Sequence, residues 1–331
     1  MKKITMMDIA KKAGVSKATV SMVLNKKDCN ISMETKKRVI NISKELGYIP
    51  NSLARGLSTK RTGTIGIVIP DILNPFFSEI SRAIEDAASH MEYNVIFCNT
   101  DNDMDKEEKY IKLLIGKLVD GVIFAAGGKS DNSVNFLSNN NIPFVLIDRY
   151  IEGHEESYGV YCHNREGVID GVNYLYGRGK RKIAYVMGPS NIHVSMQRLK
   201  GYKEAMYKYN LYNDNWVFKS NLTMEGGMQA TREILDNFKG VDAILYSNDM
   251  MALGGMKLLI REGYRIPEDI SIMGFDNIKL TKFVEPELTT IGQPIYEMGQ
   301  KACEMLIDII NGRVNEKQIC FYTQLIIRGT A

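Results

Sequence analysis

Short apolar stretches recur along residues 64–277 of this chain, separated by longer amphipathic segments. Each apolar stretch is continuous rather than alternating, which is typical of strands buried on both faces of a parallel sheet. The intervening segments repeat apolar residues at helical spacing, which predicts an α/β fold with helices on both faces of its sheets. The predicted strands are 64–70, 94–100, 121–127 and 143–149 in a first series, and 158–164, 182–189, 243–249 and 270–277 in a second.

The first 47 residues show only helical patterns. A first helix is predicted after Thr5, which forms a capping-box pair with Asp8, and it ends at Gly14. A second begins after Ser16, and a third covers residues 32–46. The apolar faces of the first two helices are Met6, Ile9, Ala10, Ala13, Val20, Val23 and Leu24. Two short helices around a glycine turn fit an ordinary helical hairpin, and they equally fit a helix-turn-helix that enters the DNA major groove.

Charge favours the DNA-binding interpretation. Residues 1–62 hold 14 Lys or Arg against four acids, a net charge of +10. Because the whole chain carries +3, the remainder carries −7. A small basic segment on a mildly acidic body is the distribution expected of a protein that binds the phosphate backbone.

The N-terminal motif resembles the headpiece of the LacI/GalR repressors. That pattern, T-x-x-D-x-A-x-x-A-G-V-S-x-x-T-V-S-x-V-L-N, is met at every fixed position from Thr5 to Asn25. The resemblance implies a small all-α headpiece and a hinge helix, followed by a two-lobed domain of parallel sheets like that of periplasmic binding proteins. The expected boundaries are 1–47 for the headpiece, 48–62 for the hinge and 63–331 for the effector domain. Within the effector domain we expect an N-lobe of about 63–160 and 290–320, and a C-lobe of about 161–289 and 321–331.

The resemblance implies a homodimer that binds palindromic double-stranded operator DNA. Met22 stands where the lac-type pattern often has arginine, so a bidentate guanine contact is not expected there. Lys17 and Ala18 remain as base-edge candidates, and the start of the third helix can hold a phosphate. The expected DNA-binding residues of the headpiece are Thr5, Ser16, Lys17, Ala18, Thr19, Ser21, Met22, Asn25, Ser32 and Thr35.

The segment 48–62 is so short that it would be barely helical alone in water, because helix nucleation is costly and Gly56 disfavours the helix further. Read from the residues alone, they form a plain linker. In LacI-type repressors the matching segment is a hinge helix that forms on DNA, and its leucine wedges into the minor groove. By motif position the wedge is Leu57, with Ala54 at the helix–helix contact and Arg55 near phosphates.

Polar side chains follow several of the predicted strands, where ligands bind in open α/β sheets. Carboxylates, amides and guanidinium groups beside aromatic rings suit a small polyhydroxylated ligand. The set resembles that of ribose-binding proteins and ribose repressors, with Leu222 near the place of a third aromatic and His163 where aspartate is usual. The expected effector-binding residues are Asn74, Phe76, Phe77, Asp148, Arg149, Arg198, Leu222, Asn248, Asp276 and Gln293. Taken singly, Phe76 and Phe77 fit a core better than a binding platform, and Asp249 fits an N-cap better than a ligand contact.

These patterns together predict a transcriptional regulator, most simply a repressor, controlled by ribose or a related pentose or hexose. We expect no catalytic residue, cofactor or metal, because metal and nucleophile motifs are absent from the sequence and the five cysteines are scattered. No signal peptide or bilayer-spanning run is present in the sequence, so we expect a cytoplasmic protein without a membrane partner. A transport receptor and a glycosidase using Asp148 and Asp276 are the alternatives of other classes. Residues 112–127 also resemble catabolite-control regulators of the same family, whose co-repressor is a phosphorylated carrier protein.

Overall fold

The computed structural model of the protein describes residues 4–25, 30–49, 61–125, 131–151, 153–154, 156–313 and 316–331. The chain divides into two compact units, Met1–Thr62 and Gly63–Ala331. The mixed α/β architecture with parallel sheets confirms the predicted fold class.

The first unit is built from three helices, α1 (Met6–Ala13), α2 (Lys17–Leu24) and α3 (Met33–Glu45). Their apolar faces meet in one small core, in which Ile9, Val20 and Val39 are fully buried. An exposed ion pair of 2.6 Å joins Lys12 of α1 to Glu45 of α3, and such pairs add little to stability. The helices therefore form as their apolar periodicity predicts.

The N-lobe of the second unit contains one sheet of six parallel strands. Its order is β11-β5-β4-β3-β1-β2. The strands are β1 (Thr64–Ile69), β2 (Asn94–Asn99), β3 (Gly121–Phe124), β4 (Phe144–Ile147), β5 (Gly159–Cys162) and β11 (Gln318–Phe321). The helices of this lobe are α4 (Pro75–His90), α5 (Met104–Gly116), α6 (Asp131–Asn139) and α11 (Ile295–Ile310).

The C-lobe contains a second six-stranded sheet, in the order β12-β10-β9-β8-β6-β7. Only β12 runs antiparallel to its neighbour. The strands are β6 (Ile183–Met187), β7 (Val217–Lys219), β8 (Ala243–Tyr246), β9 (Ser271–Asp276), β10 (Thr289–Gly292) and β12 (Gln324–Ile326). Helices α7 (Asn164–Gly177), α8 (His193–Lys208), α9 (Met224–Asn237) and α10 (Asp249–Arg261) cover it, with short 3-10 helices at Asp214–Trp216 and Lys279–Lys282.

The chain passes between the lobes three times, after β5, after β10 and between β11 and β12. The first two crossings lead into α7 and α11, and the third links two edge strands. Because parallel strands end at the same edge of a sheet, the loops that follow β4, β8 and β9 face the space between the lobes.

Two details differ from the sequence prediction. The stretch 158–164, expected to open the second series, supplies β5 of the N-lobe sheet, so the C-lobe series begins at Ile183. The expected boundaries near 160 and 290 move to Cys162 and Gly292, because β10 pairs with β9 in the C-lobe. Apolar patterning identifies a strand but does not name its partner, which is set by contacts distant in sequence. The three-residue strand β7 escaped the pattern because it is too short to show one.

Candidate functional site

The turn between α1 and α2 is held by local capping. The Thr5 backbone N–H donates to Asp8 Oδ2 at 2.9 Å, and the Asp8 N–H donates to Thr5 Oγ1, which completes the predicted capping box. Gly14 ends α1 at φ +64°, a conformation that glycine adopts without a steric penalty. Ser16 caps α2 by accepting from the Thr19 N–H at 3.1 Å. These caps set the entry of α2, the helix expected to read DNA.

The outer face of α2 carries the residues expected to contact DNA. Lys17 and Ala18 are exposed, while Ser21, Met22 and Asn25 are partly exposed. Thr19 is also partly exposed, and its hydroxyl hydrogen-bonds Ser16 Oγ at 2.9 Å. At the start of α3, Ser32 accepts from the Thr35 N–H at 3.2 Å. The hinge residues Ala54, Arg55 and Leu57 lie outside the described residues, so their expected role rests on motif position alone.

The effector residues expected from sequence stand at the carboxyl ends of strands. Asp148 and Arg149 follow β4, Asn248 comes two residues after β8, Asp276 ends β9, and Gln293 follows β10. Asn74 caps α4, which follows β1, and accepts from the Phe76 N–H at 3.1 Å. Three members of the set are non-glycine residues with positive φ: Asp148 at +66°, Leu222 at +68° and Asp276 at +116°. Such unfavourable backbone conformations cluster at functional sites.

The N-lobe side of the cleft is aromatic and cationic. Phe76 and Phe77 are each 3% exposed and pack edge to face, with ring centroids 5.0 Å apart. The Arg149 guanidinium lies 5.3 Å from the Phe77 ring centroid, and its Nη1 donates to Asn102 Oδ1 at 3.3 Å. Phe76 and Phe77 therefore belong to the hydrophobic core, and Phe77 also lies beside the charged side chain of Arg149.

Arg198 organises the C-lobe side. Its Nε donates to Asn164 Oδ1 at 2.7 Å, its Nη1 to the Ser247 carbonyl at 2.5 Å and its Nη2 to Asp276 Oδ1 at 3.4 Å. The guanidinium also stacks over the Phe275 ring at 3.7 Å. Gln293 Nε2 donates to the same Asp276 oxygen at 2.8 Å. Arg198, Asp276 and Gln293 are thus brought into one hydrogen-bonded cluster.

Burial and neighbouring positive charges shift the pKa values of the cleft carboxyls in opposite directions. Burial raises the pKa of Asp276 to about 7, while the positive charge of Arg198 lowers it. Burial likewise raises the pKa of Asp148, against the attraction of Arg149 from its own lobe and Arg198 from the other. The charges of one lobe therefore influence the pKa values of acidic groups in the other.

Asn248, rather than Asp249, caps helix α10. Asn248 is the N-cap of α10, accepting from the Met251 N–H at 3.0 Å, and its Nδ2 donates to the Leu222 carbonyl at 3.0 Å. The interpretation of Asp249 as the N-cap is wrong, since this residue is the first of α10 and its buried carboxyl bonds Thr290 and Ile278. The chain enters α10 one residue earlier than the sequence suggested, and a one-residue shift turns a side chain by about 100° around the helix.

Sequence reasoning assigned no site role to two buried residues near Arg198. Asn164, the first residue of α7, orients the guanidinium through Nε. Ser195 on α8 is 1% exposed, and its Oγ has no hydrogen-bond partner among the residues that the structure describes. The position of Asn164 directly after a lobe crossing was a signal that could have identified it, whereas nothing in the sequence distinguishes Ser195.

Among the residues that the structure describes, neither a metal-binding group nor a membrane-spanning helix is found. Within the described ranges, no group of three His, Cys, Asp or Glu side chains is arranged to hold a metal ion. No described helix combines the length and the apolar character required to span a membrane.

Family models match both units. Residues 5–51 match the model described as bacterial regulatory proteins, lacI family, and residues 172–331 match a periplasmic binding protein-like domain. The chain is 38% identical over 331 residues to the ribose operon repressor of Halalkalibacterium halodurans, covering 98% of this chain and 96% of that one. It is 35% identical to catabolite control protein A of Priestia megaterium, covering 96% and 95%.

Solved structures agree with these matches. The lac repressor dimer bound to operator and the anti-inducer ONPF superposes with a TM-score of 0.91 at 26% identity, covering 99% of each chain. A LacI-family transcriptional regulator from Enterococcus faecium with bound ribose has a TM-score of 0.74 at 31% identity, covering 81% of this chain and 98% of that one. The capped helices of the headpiece, the two-sheet effector unit and these full-length relatives lead to one conclusion: the chain belongs to the lacI family of transcriptional regulators.

Proposed function

We propose that this chain is a sequence-specific transcriptional repressor whose operator affinity is controlled by a small neutral sugar, ribose or a related pentose or hexose, bound between the lobes. The observation that carries the proposal is the buried charge cluster of the cleft. Asp148 comes from one lobe, Arg198 and Asp276 come from the other, and all three are at most 5% exposed.

Unused acceptors in this cluster favour a ligand rich in hydroxyl groups. Asp148 Oδ1 and Gln293 Oε1 are buried and lack a hydrogen-bond partner within the described part of the chain. Buried polar atoms are nearly always paired, so an unpaired one at a cleft calls for a ligand group or a water. Sugar hydroxyls donate to carboxylate and amide oxygens, and an aromatic wall such as Phe77 supports an apolar sugar face.

The charge balance disfavours a phosphorylated sugar. The buried carboxyls of Asp148 and Asp276 face the guanidinium groups of Arg149 and Arg198, and the buried carboxyl of Asp249 adds negative charge near Asp276. All three nitrogens of Arg198 already donate to protein acceptors. Only two of its five N–H donors remain, so a phosphate would gain few charge-assisted bonds and would lie beside buried carboxylates, a costly arrangement.

The relatives support ribose as the first candidate. One full-length relative is a ribose operon repressor, and one structural neighbour at 31% identity holds bound ribose. Leu222 in place of an aromatic residue weakens this inference for ribose specifically, so other pentoses and hexoses belong in the test.

Coupling to DNA follows from the two-lobed arrangement. A ligand that bridges Asp148 and Asp276 stabilises the closed state of the lobes by its higher affinity for that state. In the proposed mechanism, this shift alters the pairing of the hinge segments in a homodimer on a palindromic operator.

Leu57→Ala is expected to weaken operator binding by at least about tenfold more than binding to random DNA, because a wedge contributes only at the kinked site. Equal losses on both DNAs in a titration at fixed salt would refute the wedge.

The ligand assignment is tested by calorimetry on the full chain with D-ribose, other pentoses, hexoses and ribose 5-phosphate. We expect a neutral sugar to bind and its phosphate ester to bind at least about a hundredfold more weakly. Fluorescence anisotropy with operator DNA should then show an affinity change only with the sugar that binds. Tighter binding of the phosphate ester would overturn the proposed ligand class.

A catabolite-control regulator is the second candidate, favoured by 35% identity to catabolite control protein A over nearly the whole chain. Its co-repressor would be a phosphorylated carrier protein rather than a sugar. Operator binding that responds to the phosphorylated carrier but to none of the sugars would favour this alternative. The reverse result would exclude it.

A further inference from the structure

Asp249 has a carboxyl that neither the helix cap nor the sugar contacts proposed above require. Its side chain is fully buried, and Asn248 already performs the capping of α10. Asp249 Oδ1 accepts from the Thr290 hydroxyl at 2.6 Å, and Oδ2 accepts from the Ile278 backbone N–H at 2.9 Å. The Asn277 backbone N–H also faces this carboxyl and favours its charged form. Two consecutive amides and a hydroxyl therefore converge on one acidic side chain.

The two amides belong to an unfavourable turn. Asp276 and Asn277 have φ values of +116° and +63°, and neither is glycine. Such conformations persist only where surrounding contacts hold them. On its other side the turn is held by Arg328, whose Nη2 donates to Asn277 Oδ1 at 2.6 Å. The same turn directs the Asp276 carboxylate to Arg198 and Gln293.

Strand β9 leaves space for this arrangement. Gly274 lies two residues before Asp276, and a Cβ atom at Gly274 would stand 2.1 Å from Asp249 Oδ1. Any larger residue would therefore push the carboxyl away from the turn. Gly274, Asp249 and Thr290 form one packed unit beneath the effector carboxylate.

We propose that Asp249 is a positioning residue of the effector site, which holds the Asp276–Asn277 turn so that Asp276 keeps its carboxylate directed at Arg198 and the ligand. The inference rests on the proposed sugar site for its functional consequence. Its structural part, the holding of the turn, does not depend on any ligand.

The ligand-free test is amide hydrogen exchange on the full chain. We expect the Asn277 and Ile278 amides to exchange at least about tenfold faster in Asp249→Ala than in the wild type, because they lose their acceptor. Gly274→Ala should act in the same direction by displacing the carboxyl. Asp249→Asn should recover part of the protection, since one carbonyl oxygen remains. Asp170→Asn, at an exposed aspartate on α7, is the matched control.

Unchanged protection at both amides in Asp249→Asn and Gly274→Ala would overturn the proposal, even if Asp249→Ala fails to fold. Faster exchange throughout β6 as well would also overturn it, since general loosening is not the holding of one turn.

The functional test compares ribose with a panel of its deoxy analogues by calorimetry. If Asp249 acts through Asp276, then Asp249→Asn and Asp276→Asn should lose affinity for the same hydroxyl. Ribose affinity would fall about tenfold in both, while affinity for the sugar that lacks that hydroxyl would change less than about twofold. A uniform loss over the panel would contradict the positioning role. Failure of the wild type to bind any sugar would instead refute the proposed function, leaving the exchange experiment to decide the role of Asp249.

Discussion

The headpiece and the cleft use charge in opposite ways. The headpiece segment carries +10 over 62 residues, and its described lysines and arginines are mostly exposed. In the cleft, Asp148, Arg149, Arg198 and Asp276 are almost fully buried and interact with one another. Exposed cations attract a polyanion over a distance and are screened by salt, whereas buried charges are screened much less. We therefore expect this chain to join a salt-sensitive DNA-binding unit to a ligand site that responds little to salt.

The largest expected difference between the two regions is in their response to salt. If the dimer contacts about six phosphates, operator affinity should fall about 10³-fold between about 50 and 200 mM salt. Sugar affinity should change less than about twofold, because the cleft charges are buried and the ligand is neutral. Anisotropy and calorimetry over one salt series measure both quantities. A parallel loss of sugar affinity would remove the contrast.

Arg198→Ala should affect only the cleft. It leaves the Asp276 carboxylate buried without its ion pair, which costs about 3–5 kcal/mol of effector-unit stability. Sugar affinity should fall about a hundredfold, since a hydrogen bond to a charged group contributes up to about 3 kcal/mol. Calorimetry and denaturant unfolding check these values, and operator binding without sugar should persist.

Arg178→Ala is the matched control for that variant. Arg178 is exposed at the end of α7, so its replacement removes the same charge without touching the cleft. Equal loss of sugar affinity in both variants would mean that net charge, rather than the buried cluster, governs binding.

The third expected difference is in pH dependence. The pKa of Asp276 is raised to about 7, so its carboxylate gains a proton as the pH falls through that value. We expect sugar affinity to fall about tenfold from about pH 8 to about pH 6. Because burial raises this pKa, the contribution of Asp276 to ligand-free stability should move the other way, being fully present below about pH 4 and lost as the pH rises through about 7.

Operator affinity of the ligand-free protein should stay nearly constant over the same range, because residues 1–62 contain no histidine. Calorimetry and anisotropy at matched ionic strength provide the comparison. Asp276→Asn should flatten the sugar profile, and a profile that keeps its slope in this variant would exclude Asp276 as the titrating group.

The smallest predicted effect lies within the headpiece. Thr5→Ala removes the hydroxyl of the capping box and should lower headpiece stability by about 1 kcal/mol. Asn41→Ala, at an exposed position of α3, should not destabilise it. Denaturant unfolding followed by circular dichroism measures both. A Thr5→Ala loss that appears in the effector unit rather than the headpiece would refute the local assignment.

Much of the architecture was predictable because its causes are local. The Thr5–Asp8 capping box, the Gly14 stop and the Ser16 cap follow from residues within four positions of one another. Among the strands that the structure describes, the continuous apolar runs marked eight as separate stretches. Polar residues after β4, β8 and β9 indicated the position of the cleft.

Sequence by itself therefore determined which segments are helices or strands, where the positive charge lies and which polar residues stand at strand ends. Tertiary structure alone decided that β5 joins the N-lobe sheet and that Arg198 is shared among Asn164, Ser247 and Asp276. It also decided that Asp249 bonds Thr290 and Ile278 instead of capping a helix. The physical reason is the separation along the sequence of the residues that interact. Caps and periodicity act over a few residues, whereas these pairings join positions tens of residues apart, and only the folded packing selects among them.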